Sequence, residues 1–320
     1  MKRNIAIIGA GVAGLSAARV LTAAGARLVV LEKSRGLGGR MATKRVGEAV
    51  FDTGAQYFTA REDGFASEVQ RWADLGKAER WPGSTHRWIG RGGMTAVPKL
   101  LAEGSDVERE RKVTAARHHP SGYWELDIEN EGILRAERLV LTAPMPQALA
   151  LLDAGNVRLP DAIATELRGV TYRPCLAALL VLDGPSAVPL EGVAPSEGPL
   201  RWVADNAQKG LCRPTAVTLH ATGEFSAREY GRPEAEVLEQ MIAAARVWLG
   251  DRTVSSATLH RWRYSEPVGS LPKPFVWMPD LSLGFAGDAF LGGRVEAAAL
   301  SGTALGQHIA TQLTPVPSDL

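Results

Sequence analysis

Residues 4–32, NIAIIGAGVAGLSAARVLTAAGARLVVLE, constrain the fold more than any other stretch. The apolar run Asn4–Gly9 reads as a short buried strand, Val12–Ala24 as a helix ended by Gly25, and Arg27–Glu32 as the next strand. Such strands pair in parallel only through a helical crossover, so the chain opens as a βαβ unit. Gly9, Gly11 and Gly14 fall on the strand–helix turn. The first glycine permits a tight turn, the second lets backbone approach a pyrophosphate, and the third lets the helix pack on the sheet. The helix start then offers free N–H groups and partial positive charge to phosphates. Glu32 ends the second strand, where a carboxylate can accept hydrogen bonds from a ribose. Lys2, Arg3 and the apolar residues after them imitate a secretion signal, but the glycines and Arg19 break that pattern.

The rest of the composition narrows the function by exclusion. Lys plus Arg total 36 against 35 for Asp plus Glu, so no basic excess points to nucleic acid. The mixed-charge run Val107–His119 reads as a solvated hairpin, with His118 and His119 capping a loop beside Pro120. Six histidines and two cysteines, Cys175 and Cys212, show no metal-ligand spacing, so no metal is expected. Two cysteines without a CxxC fit a reduced, cytoplasmic protein, although one pair could still bridge. No apolar run reaches the roughly 18 residues that span a bilayer, so no membrane role is expected.

Further along, Arg138–Pro144 and Leu281–Phe290 read as buried strands, and an Ala-rich helix runs from about Arg294 to Gln312. Other segments have a different character. Cys175–Leu182 is a buried strand, and Thr215–Thr222 alternates, with Val217, Leu219 and Ala221 opposite Thr218, His220 and Thr222. Glu234–Leu249 has helical spacing and ends at Gly250, and Thr258–Tyr264 puts His260, Trp262 and Tyr264 on one face. The expected fold is α/β: a Rossmann-like dinucleotide-binding domain (1–60, 90–145 and 280–320) with an inserted α+β substrate domain (61–89 and 146–279) on a mainly antiparallel sheet. The tail TPVPSDL is expected to fray.

An acidic residue at position 32 suits the ribose of NAD or of the adenosine half of FAD. The next residues separate the two. Gly38-Gly39-Arg40-Met41, then FDTGAQYF at 51–58, resemble the signature of the amine-oxidase and glutathione-reductase group of flavoproteins. That resemblance implies FAD. It puts Arg40 near the pyrophosphate and ribityl chain, the 51–58 segment along the isoalloxazine, and Asp288 of Gly287-Asp288 on the ribityl chain. It also aims the helix start after LGGRVEAA at the flavin pyrimidine ring, and it gives Val113 a backbone contact to adenine. The expected cofactor residues are Gly9, Gly11, Ala13, Gly14, Glu32, Lys33, Gly39, Arg40, Met41, Ala55, Gln56, Val113, Gly287, Asp288, Arg294 and Val295. Arg294 and Glu296 fix the helix start or pair with each other. No cysteine lies near Asp288 or in the last helix, so the flavin is expected to be non-covalent.

Six stretches together narrow the resemblance: IAIIGAGVAGLSAARVLTAAG, KSRGLGGRMATKR, DTGAQYFTAR, LHAT, HRWRYSEP and GDAFLGGRVEAAALSG. They are similar to the bacterial renalases, FAD oxidases of the p-hydroxybenzoate-hydroxylase fold. The motifs within 5–61 and 259–302 are specific; 62–84 and 145–210 match loosely, and the chain is short around 80–90. The resemblance implies oxidation of the 2- and 6-dihydro isomers of NAD(P)H. Hydride passes to flavin, dioxygen reoxidises it, and the products are NAD(P)⁺ and hydrogen peroxide. It implies no obligate protein partner. The candidate catalytic-pocket residues are Gln56, Tyr57, His220, Trp262 and Tyr264. An aromatic stripe on a strand serves a core as readily as a pocket, and a lone histidine is often a satisfied core group. Other readings are an FAD-dependent amine oxidase, a nicotinamide-dependent dehydrogenase without flavin, and a non-enzymatic flavin-binding module.

Overall fold

The structure is a computed structural model and describes residues 3–313. The expected frayed tail, 314–320, lies outside the described residues. Backbone contacts divide the chain into two units, 1–39, 98–171 and 267–320, and 40–97 and 172–266.

The first unit is built on a mixed eight-stranded sheet. Its main path runs Val276–Met278, Leu283–Phe285, Gly132–Leu141, Arg3–Ile8, Leu28–Glu32, Val107–Arg109. From Leu283–Phe285 onward these strands pair in parallel, with Ile8 opposite Leu31 on one side and Leu141 on the other. Sequence order therefore reverses at Arg3–Ile8, and the carboxyl end of that strand is where such sheets open a ligand crevice. A parallel sheet must be covered on both faces, which is why Ile5, Ala6, Ile7, Val29 and Val30 are all fully buried. The helices Val12–Ala23 and Val295–Ala310 pack backbone to backbone. A Cβ on Gly302 would lie 2.0 Å from the Ala13 carbonyl oxygen, and one on Gly306 3.0 Å from that of Ala17.

Only the second half of the charged run at 107–119 belongs to a hairpin, as expected. Val107–Arg109 adds in parallel to Leu28–Glu32, while Val113–His119 pairs antiparallel with Tyr123–Ile128. Glu110 breaks the two apart with a positive φ of 60°. His118 and His119 end the second strand against the rings of Trp124 and Tyr123, and His119 caps the following turn as expected, its Nδ1 accepting the Ser121 N–H at 3.1 Å.

The second unit carries a four-stranded sheet in the order Leu200–Asp205, Ala216–Ala221, Thr171–Leu182, Val254–Val268. Ala216–Ala221 is antiparallel to both neighbours. Helix Glu234–Leu249 covers one face, burying Val237, Met241 and Leu249 against Leu176, Val217 and Leu219. The alternation at 215–222 suggests one polar face, yet all six residues of Ala216–Ala221 are buried. Strand Ala49–Asp52 explains this, because Ala49 and Phe51 pack on Ala216 and Leu179 from the other side. Cys175 and Cys212 are both free, so the pair does not bridge, and burial pushes the Cys175 thiol up to about 11. No described helix is long and apolar enough to cross a membrane, and no described cluster of His, Cys, Asp or Glu could hold a metal ion.

Candidate functional site

In the first unit the Gly-rich turn forms a cradle. Gly9 has φ +108°, and a Cβ there would sit 2.8 Å from Thr142 Oγ1. A Cβ on Gly14 would sit 2.0 Å from the Gly9 carbonyl oxygen, so the turn closes only on glycine. At Gly11 a Cβ would meet nothing within 4 Å, so the backbone there faces open space. Gly11 is also the N-cap of helix Val12–Ala23, with no side-chain cap and no acid in the first turn, which leaves its N-terminal field to an anion. Gly38 bridges to Gly11 and donates its N–H to the Ala10 carbonyl at 2.9 Å; Gly39 would place a Cβ 3.8 Å from Gly11 Cα.

Glu32 is buried and accepts N–H bonds from Ala10 to Oε2 at 2.9 Å and from Ser34 to Oε1 at 2.8 Å. A carboxylate has about four acceptor sites, so these two bonds leave about two for a ligand. Lys33 is exposed and donates to Gln147 Oε1. Val113 is buried opposite Ile128. Gly287 has φ +149° and donates its N–H to Ser301 Oγ; Asp288 beside it is buried. Arg294 is the exposed N-cap of the helix beginning at Val295, and Glu296 in its first turn is buried. Thr142 was not among the sequence candidates. Its hydroxyl donates to the carbonyls of Ile8 and Gly9 at 2.9 and 3.1 Å and ties the Gly-rich turn to the end of the neighbouring strand Gly132–Leu141.

The second unit carries the other candidates. Arg40 donates to the Ser265 carbonyl and lies 5.8 Å over the Tyr172 ring. Its own carbonyl accepts the Ala55 N–H at 2.8 Å and would clash at 2.1 Å with a Cβ on Gly54. Met41 is buried, its carbonyl held by Thr95 Oγ1. Gln56 donates from Nε2 to the Asp52 and Gly54 carbonyls, leaving Oε1 buried without a partner. The Thr53 carbonyl accepts from His220 Nε2 at 3.0 Å and from Trp262 Nε1 at 2.8 Å. Gln56, His220 and Trp262 thus converge on one stretch of backbone, 52–54. Tyr57 lies instead against Trp81 and Trp202, and Tyr264 against Tyr172.

A carbonyl only accepts, so His220 carries its proton on Nε2 and presents Nδ1 as a lone pair. Burial pushes its pKa down to about 4, with the Thr53 bond opposing, so the ring is neutral near pH 7. His260, 4.3 Å from the Trp262 ring, is lowered by burial and then by Lys44.

Three further groups escaped the sequence. Lys209 and Asp52 form a fully buried ion pair, Nζ to Oδ2 at 2.6 Å. Asp52 Oδ1 also accepts from Thr43 Oγ1 and the Met94 N–H. Burial lowers the Lys209 pKa and the Asp52 charge opposes that. Arg87 lies 4.7 Å over Tyr57 and 5.3 Å over Trp202, while Lys209 Nζ lies 5.0 Å over Trp81. Asp52 and Lys209 stand 157 positions apart, and no local pattern marks their meeting.

A Rossmann turn, a buried carboxylate at the end of the second strand and a second Gly-rich loop bridged to the first have the form of a dinucleotide-binding domain. Residues 7–72 match the model of an NAD(P)-binding Rossmann-like domain, and residues 68–309 match that of the flavin containing amine oxidoreductases. The chain belongs to this flavin-containing amine oxidoreductase family, and FAD is its cofactor. The open backbone at Gly11, the uncapped helix and the two acceptor sites left on Glu32 fit the adenosine diphosphate half of FAD. Over 68 residues the chain is 41% identical to a 4-hydroxybenzoate brominase (decarboxylating) of Marinomonas mediterranea, covering 21% of this chain and 13% of that protein. Over 59 residues it is 42% identical to the putrescine oxidase of Kocuria rosea, covering 18% and 12%. The matches therefore span about an eighth of these relatives' own lengths. Among solved structures, a candidate protoporphyrinogen oxidase from Exiguobacterium sp. 255-15 superposes with TM-score 0.76 at 15% identity, covering 98% of this chain and 100% of that one. Putrescine oxidase bound to putrescine superposes with TM-score 0.71 at 14% identity, covering 97% and 99%. At those identities the likeness is one of fold.

Proposed function

We propose that the chain is a renalase-like oxidase that converts the 2- and 6-dihydro isomers of NAD(P)H to NAD(P)⁺ in the cytoplasm, with non-covalent FAD and dioxygen as the final acceptor. One isomer, one proton and one dioxygen give one NAD(P)⁺ and one hydrogen peroxide. FAD, held by the Gly9–Gly14 turn and Glu32, would supply the hydride acceptor and the route of the electron pair to dioxygen. The protein's task is then to hold a flat ring at near-attack distance and exclude competing geometries. In this assignment Trp262 and His220, both anchored on the Thr53 carbonyl, set the pose, and the neutral His220 Nδ1 accepts from the carboxamide N–H. Gln56, Tyr57 and Tyr264 complete the pocket in the same reading. Hydride transfer needs no general base, and His220 keeps its proton committed to Thr53.

One observation carries the choice of substrate. The ring faces that would cage an ammonium are already covered by the protein's own cations, Arg87 over Tyr57 and Trp202 and Lys209 over Trp81. The carboxylates beside them are engaged too, Asp52 by Lys209 and Glu191 by Arg87. A protonated amine would be repelled by these cations and find no unengaged carboxylate among them, whereas the neutral dihydronicotinamide ring posed by Trp262 and His220 would not be. Oxidation of an amine remains the second reading, favoured by the family itself. Anaerobic mixing of the yellow holoenzyme with each NADH isomer, ordinary NADH and putrescine separates the two. The 2- or 6-dihydro isomer should bleach the flavin within the mixing experiment, and the 4-dihydro form and putrescine hardly at all. Fast bleaching by putrescine or by ordinary NADH would reject the proposal.

A further inference from the structure

We infer that a cleft in the second unit, lined by Thr59, Arg61, Arg80, Thr85, His86 and Trp88, is a phosphate subsite for the diphosphate of the dinucleotide substrate. This rests on the dihydronicotinamide reading above. The cleft encloses about 380 Å³, within the range of small-molecule sites. Two arginines, a histidine and two threonine hydroxyls line it, with no Asp or Glu. That is the lining of a site for an anion rich in acceptor oxygens.

The cleft is also preorganised. Arg80 and Trp88 are cross-strand partners in the ribbon Ala78–Arg80/Trp88–Gly90, and the guanidinium lies 3.8 Å over the indole. That stacking fixes the plane of the guanidinium and leaves its N–H edge to a ligand. Trp88 is itself held by reciprocal backbone bonds with Phe58 at 2.8 and 2.9 Å. A guanidinium fixed in this way loses little side-chain entropy on gripping a phosphate.

Its place along the chain suits one ligand spanning two sites. Tyr57 belongs to the ring cluster, whereas Thr59 and Arg61 line the cleft. Four residues reach at most about 14 Å. Arg87 leans on Tyr57, while its neighbours His86 and Trp88 line the cleft. A dinucleotide whose nicotinamide end is posed by Trp262 and His220, with Tyr57 at the pocket's edge, would direct its phosphates along 57–61 toward Arg61 and Arg80.

The test uses the FAD-loaded enzyme and the variant Arg80→Ala, an exposed position on a strand end. Flavin reduction is followed anaerobically against the concentration of the 6-dihydro NADH isomer and of the matching dihydronicotinamide riboside, which has no phosphate. The apparent Kd of the dinucleotide should rise about tenfold, the loss expected for one charge-assisted contact, with the limiting reduction rate unchanged. The Kd of the riboside should not move. Separately, calorimetric titration with ADP-ribose should show binding to the wild type that weakens about tenfold in Arg80→Ala; this arm needs no turnover. An unchanged dinucleotide Kd, an equal loss for the riboside, or wild type that does not bind ADP-ribose would overturn the subsite. If no isomer bleaches the flavin while ADP-ribose still binds through Arg80, the oxidase reading falls and the phosphate subsite stands.

Discussion

Acid should weaken this protein through one histidine, and by an amount that can be worked out. In the folded state His220 sits between two strands with its Nε2–H on the Thr53 carbonyl, and burial holds its pKa at about 4 against an ordinary 6.5. Above pH 6.5 the ring is neutral in both folded and unfolded chains, so this contribution to stability is fully present. Between pH 6.5 and 4 the unfolded chain binds a proton that the folded one refuses, so stability falls as pH falls. About 2.5 units at about 1.36 kcal/mol each make the loss about 3 kcal/mol, complete near pH 4. His220→Gln places an amide N–H where Nε2 donates but cannot titrate. Urea unfolding of the two holoenzymes from pH 7.5 to 4 should then show the wild type losing ground on the variant by roughly 1 M in midpoint. Groups common to both proteins cancel in that difference. Midpoints that fall in parallel across the range would refute the reasoning.

Two other substitutions test the framework. Glu32→Ala removes the carboxylate assigned to the ribose and strands the Ala10 and Ser34 amides; on that assignment it should weaken FAD retention by ~1–3 kcal/mol, seen in the dialysis loss of flavin, while enzyme still loaded reduces at the wild-type rate. Lys209→Met leaves Asp52 charged and buried with two remaining donors, and should cost ~3–5 kcal/mol, read as a drop in Tm; Asp52→Asn combined with Lys209→Met should recover part of it.

What could be read from the sequence was local. Gly9, Gly11 and Gly14 act through the backbone of one turn, and Glu32 lies at the end of the next strand, so their spacing carries their geometry. The same holds for helix Val295–Ala310, whose expected bounds at Arg294 and Gln312 differ only at the ends. What escaped depends on residues far apart. Lys209 meets Asp52, and Arg87 meets Tyr57 and Trp202, through tertiary packing that no window of sequence displays. The 107–119 run is a hairpin arm only from Val113 on, because Val107 supplies a parallel edge pairing and Glu110 a left-handed break that its charges do not reveal. The alternation at 215–222 was seen correctly as a pattern but not as a doubly covered strand, because its second cover, Ala49 and Phe51, lies in a different part of the chain.

The contact between Ala13 and Gly302 has a consequence for how the protein is made. The cofactor cradle begins with the first strand, yet the helix that starts at Gly11 is backed by the last described helix, and its strand sits between Leu28–Glu32 and Gly132–Leu141. During synthesis, the segments of the second unit, 40–97 and 172–266, emerge completely while the first unit still lacks 267 onward. The second unit can therefore settle while the chain is still growing. The first unit cannot cover its opening helix until Val295–Ala310 has been made. Pairings so distant in sequence close slowly, so a chain halted before Gly302 would present the Gly9–Gly14 turn without the helix that packs on Ala13.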